Sequence, residues 1–132
     1  MIEIAFPDFW PERLAWLVAL ATMVTGFSGM IAPRRMMRVV GLGGASGTSN
    51  GVSEFRSSVG GALGGLGLAC LLMAQPFTYF ALGLMFFFAS VGRIVSFFAD
   101  GTFNKHCIFF LVVESLGAYF PLQFVYSAFF PA

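Results

Sequence analysis

Charge is scarce in this 132-residue chain: seven Lys and Arg and six Asp and Glu amount to 10% of the residues and leave a net charge of +1. A soluble domain carries about a quarter charged residues, and at this density no basic surface exists that could hold nucleic acid. Lys105 is the only lysine and follows Asn104, so no Walker A loop can be written, and no frame of Gly60 to Gly67 fits GxGxxG. One histidine, His106, and two distant cysteines, Cys70 and Cys107, cannot assemble a zinc site or a His-based triad within the chain. The absence of CxxC disfavours a quinone-linked disulfide oxidoreductase. The expectation is a non-enzymatic protein with no metal and no cofactor.

What the chain has instead is apolar length. It is 58% hydrophobic with a mean hydropathy of +0.87, and a helix of about 20 apolar residues crosses a bilayer. Four such segments are predicted, at about 14–31, 53–74, 76–99 and 104–129. Gln75-Pro76 separates the second from the third, which would form a tight hairpin, and Asp100-Gly101 separates the third from the fourth, with a bend at Pro121. The fold class is all-α: an integral membrane four-helix bundle forming a single domain over residues 1–132.

Arg34, Arg35, Arg38 and Arg56 follow the first helix, and Lys105 lies between the third and fourth. The positive-inside rule places both regions in the cytoplasm and both termini outside, in the periplasm of a bacterial inner membrane. With no basic stretch ahead of it and no cleavage site, the first helix reads as retained. Phe6, Phe9, Trp10 and Trp16 suit the outer aromatic belt. In "APRRMMRVVGL" a short helix opened by Pro33 would set Arg34, Arg35 and Arg38 toward lipid headgroups and Met36, Met37 and Val40 toward the apolar phase. The plainer alternative is that these arginines only fix topology. The tract from Gly41 to Ser53 reads as a flexible loop.

Glycines at Gly60 and Gly64, and at Gly61 and Gly65, have the spacing that lets membrane helices approach backbone to backbone. Glu54, Ser58, Gly61 and Gly65 share one helical stripe. Similar stripes hold Thr22, Gly26 and Gly29 on the first helix, Arg93, Ser96 and Asp100 on the third, and Glu114, Gly117, Ala118 and Pro121 on the fourth. Four such stripes imply a bundle with its polar face inward.

Ionisable groups inside the membrane carry the most information, because each costs at least about 2.5–3.5 kcal/mol unless paired. Glu114 lies roughly 13 Å and Arg93 about 10 Å from the same membrane face, at 1.5 Å per residue. The matching depths predict an Arg93–Glu114 pair, with Glu54 and Arg56 as further members of a polar core. That core has two readings: a structural ion-pair network, or a proton or ion path. Partners are the lipid bilayer together with other membrane proteins or further copies of this chain, and not nucleic acid.

"SEFRSSVGG", with its E-x-R and Gly-Gly, "GRIVSFFADG" and a lone glutamate in the fourth helix together resemble a family of small bacterial four-helix membrane proteins catalogued as a domain of unknown function. The resemblance spans nearly the whole chain and carries over to Glu54, Arg56, Arg93, Ser96, Asp100, Gly101 and Glu114. "FPDFWPERLAW" and "AQPFTYFALG" are similar to an alphaproteobacterial branch labelled phage infection protein. The function expected is an accessory or interaction component of a membrane assembly, with a role in phage infection implied by that label. The alternative is a small proton-coupled transporter or channel using Arg93 and Glu114.

Overall fold

The computed structural model describes residues 4–43 and 48–130, and these are all-α. The elements are α1 (Trp10–Ile31), α2 (Pro33–Val39), α3 (Ser49–Met73), α4 (Pro76–Ala99) and α5 (Lys105–Phe129). α1, α3, α4 and α5 are each long and apolar enough to cross a membrane, which makes this a multi-pass membrane protein.

Local chemistry sets each boundary. α1 starts at Trp10, four residues ahead of the expected position, because Pro11 suits a first helical turn and Arg13 donates from Nε to the Pro7 carbonyl at 2.7 Å. The Arg13 guanidinium lies over the rings of Trp10 and Phe6 at 5.2 and 5.5 Å, tying the aromatic cluster to the helix start. Ala32 leaves helical geometry and Pro33 opens α2. Residues 44–47 of the expected loop lie outside the described residues. From Ser49 onward the chain is already helical, capped by the Thr48 hydroxyl accepting from Gly51 N–H at 3.0 Å. Ala74 turns left-handed (φ 48°) before Pro76 opens α4, and Asn104 caps α5 by accepting from Cys107 N–H at 3.0 Å. α5 runs unbroken through Pro121, which is buried.

α3 is not a uniform α-helix. Residues Phe55–Gly61 form a π-helical segment, whose turns hold about one residue more. The wider turn stacks Gly60 under Phe55, both buried, and Gly64, Gly67 and Leu71 continue that face at α-helical spacing.

The helices pack as two close pairs, α1 with α3 and α4 with α5. The tight hairpin expected of α3 and α4 is not formed: they adjoin through the short turn, and their main partners are α1 and α5. A core drawn from all four spanning helices occupies the end of the bundle near that turn, with Ala15 and Ala19, Cys70 and Leu71, Tyr79 and Leu82, and Phe124 and Val125. At the opposite end Met37 of α2 is buried against Val52 and Phe55, with Met36, Val40 and Val59 around them. The apolar side of α2 therefore rests on α3 and not in the lipid phase, because Phe55 and Val52 offer it a protein surface.

Candidate functional site

The α4–α5 interface is built as antiparallel rungs. Gly83 faces Leu122 and Gly117 faces the Phe86 ring, so closely that an added Cβ would lie 2.7 and 3.0 Å from those side chains. The small residues bring the helices near enough for Ser90 and Ser115 to meet, Oγ to Oγ, at 3.4 Å. One turn further, Arg93 donates to Glu114 from Nε to Oε2 at 2.8 Å and from a terminal nitrogen to Oε1 at 2.7 Å. This is the bidentate geometry that a guanidinium and a carboxylate prefer. Phe110 covers the guanidinium, with its ring centre 5.4 Å away. Arg93 and Glu114 are 26% and 15% exposed, and neither lines either of the two cavities described below.

The other polar residues do not join this pair. Arg56 donates to the Met30 carbonyl at the end of α1, where the last carbonyls of a helix lack partners and carry its negative end. Glu54 is exposed and accepts from Ser58 at 3.3 Å. The expectation of one polar core containing Glu54 and Arg56 is thus corrected: α3 is paired with α1, which keeps both side chains off the α4–α5 seam. Ser96 forms a separate cluster, donating to Asp100 at 2.8 Å and meeting Thr102 at 3.0 Å, and this holds the turn at Gly101. The polar face is not uniformly inward either, since Glu54, Arg56, Ser58 and Asp100 are exposed.

The glycines divide by face. A Cβ on Gly60 would lie 2.6 Å from the Met30 nitrogen, one on Gly67 would lie 2.5 Å from the Met23 nitrogen, and one on Gly26 would run into the Gly64 backbone. Gly60, Gly64 and Gly67 are therefore the surface on which α1 packs. Gly61 and Gly65 are not: a Cβ on Gly61 would meet only the Arg56 carbonyl of its own helix, at 3.7 Å, and one on Gly65 would enter open space. The stripe Glu54, Ser58, Gly61 and Gly65 points away from α1. Gly67 completes the pattern and was readable as seven residues beyond Gly60; Gly117 belonged to the stripe expected on the last helix, whereas Gly83 and Tyr79 carried no comparable spacing signal.

On α2, Arg34, Arg35 and Arg38 are all exposed, and among the described residues neither Arg35 nor Arg38 has a partner. A cleft of about 380 Å³ in the elbow between α1 and α2 is lined by Ser28, Ile31, Ala32, Arg35 and Met36. A second, of about 620 Å³, is a groove on the outer side of α4 and α5 between Phe87, Ser90, Val91, Tyr119, Leu122 and Tyr126. His106 bridges the two helix pairs, with Nε2 3.4 Å from the Val39 carbonyl and its ring against Gly41. Cys70 is buried near the 74–76 turn, Cys107 begins α5, and both are free thiols. Among the described residues no three His, Cys, Asp or Glu side chains gather where a metal ion could sit.

No curated protein and no solved structure matches the chain. A family profile covers residues 13–125, a span that contains the α1–α3 glycine seam and the Arg93–Glu114 rung. The chain belongs to the family described as Domain of unknown function (DUF4345).

Proposed function

We propose that the protein is a non-enzymatic component of a membrane assembly in a bacterial inner membrane, and that its Arg93–Glu114 pair is a structural clamp. The observation that carries this reading is that both charges are spent on each other. Every carboxylate oxygen faces a guanidinium N–H at 2.7–2.8 Å under the Phe110 ring, and neither side chain lines either cavity. A proton path needs a carboxylate that water can reach, and this one is satisfied inside the seam. The interaction surface is the outer face of α4, whose spanning window is 17% buried against 28–33% for the other three helices.

In this reading the groove at Val91 and Tyr119 receives a membrane helix of a partner protein, with Ser90, Ser115 and Gln123 available for interhelical hydrogen bonds. The arginines of α2 keep the connection to α3 in the cytoplasm and both termini in the periplasm. That orientation suits exploitation by a phage, the role implied by the resemblance to proteins labelled for phage infection. A photoreactive residue at Val91 in native membranes should give a discrete protein adduct, whereas one at the exposed Val24 of α1 should give only lipid. Lipid adducts at both positions would defeat the interaction reading. The second reading, a proton-coupled transporter, rests on a glutamate within a spanning helix. It requires proton flux in reconstituted vesicles that Glu114→Gln abolishes.

A further inference from the structure

We propose that the elbow between α1 and α2 is a binding site for the phosphate headgroup of an anionic phospholipid. The cleft combines the two surfaces that such a ligand presents. Arg35 and the Ser28 hydroxyl offer donors to a phosphate, and Ile31, Ala32 and Met36 offer apolar wall to the start of an acyl chain. Ile31 is 77% exposed at the end of a spanning helix, the level at which headgroup and acyl chain meet. Arg35 has no partner among the described residues, so its guanidinium is free to bind.

Two features tune the elbow for an anion. Arg56 donates to the Met30 carbonyl, neutralising the negative end of α1 that would repel a phosphate. Met37 is held between Val52 and Phe55, which fixes α2 against α3 and keeps Arg35 at one height relative to the spanning helices. Arg34 and Arg38 on the same helix add to the local positive potential, so a lipid with net negative charge is favoured over a zwitterionic one.

The test is native mass spectrometry of the full chain in mild detergent, titrated with phosphatidylglycerol or with phosphatidylcholine of the same acyl chains. One phosphatidylglycerol should bind preferentially. Arg35→Gln, which loses a charged hydrogen bond, should weaken it by about tenfold or more and Ser28→Ala by a smaller factor, whereas Arg38→Gln, outside the cleft and acting only through the local potential, should weaken it by about fivefold or less. The thermal midpoint of each lipid-free variant checks folding, and Arg35 is exposed enough for its loss to leave that midpoint unchanged. Equal binding of the two lipids would overturn the proposal. So would equal losses from Arg35→Gln and Arg38→Gln, and competition by inorganic phosphate would assign the elbow to a free anion instead.

Discussion

Gly26→Ala forces a methyl group into the backbone of Gly64, and Gly60→Ala forces one to within 2.6 Å of the Met30 nitrogen, roughly 1 Å short of a relaxed contact. Both obstacles are main chain, so no rotamer can relieve them. The helices must separate, and the loss extends along the seam from Ala19 through Met23 and Gly26 to Met30. Overpacking costs about 1–3 kcal/mol, and a rigid seam places these variants at the upper end, about 3 kcal/mol. Gly65→Ala is the internal control, since its methyl enters open space and alanine gains up to about 1 kcal/mol of helix propensity. Thermal unfolding in mild detergent reads the difference. At roughly 4 °C per kcal/mol for a chain of this size, Gly26→Ala should lower the midpoint by about 12 °C, and Gly65→Ala should leave it unchanged or raised. Equal destabilisation by Gly65→Ala and Gly26→Ala would refute the assignment of the packing face.

Arg56→Met removes the donor on the Met30 carbonyl and should cost about 1–2 kcal/mol, read as a midpoint shift, with Arg56→Lys recovering part of it. Tyr79→Phe deletes a buried hydroxyl that has no partner among the described residues, so it should be neutral or stabilising; a loss above about 1 kcal/mol would mean that the hydroxyl is satisfied. Cys70 and Cys107 lie toward opposite ends of the bundle, so non-reducing gels should show no bridge within one chain. A cysteine placed at Gln75 should react with an impermeant reagent from outside the cell and one at Arg38 should not; the reverse pattern would invert the proposed orientation.

The span boundaries were legible because they follow from missing charge and from turn residues: Pro76 and Gly101 lie where the chain reverses. The Arg93–Glu114 rung was legible for a related reason, since two charges at equal depth in lipid have few other partners. Which helices pair was not legible, because small-residue stripes on four similar helices fit one another equally well. The π-helical segment was hidden too. It depends on the fit of Phe55 and Gly60 against α1; of the two glycine pairs expected to pack, Gly60 and Gly64 meet α1 and Gly61 and Gly65 do not. The partner of Arg56 was not legible, because a main-chain carbonyl of α1 leaves no trace in the sequence.

The claim that Arg93 and Glu114 form a structural clamp is tested most directly by a double-mutant cycle on thermal stability in detergent. Glu114→Gln and Arg93→Met each strand one charged partner, and breaking a buried pair costs about 3–5 kcal/mol. The double variant leaves no charge unpaired and should regain most of the loss, giving a coupling energy of at least about 2 kcal/mol. Strictly additive losses would contradict the clamp. So would a Glu114→Gln variant of unchanged stability.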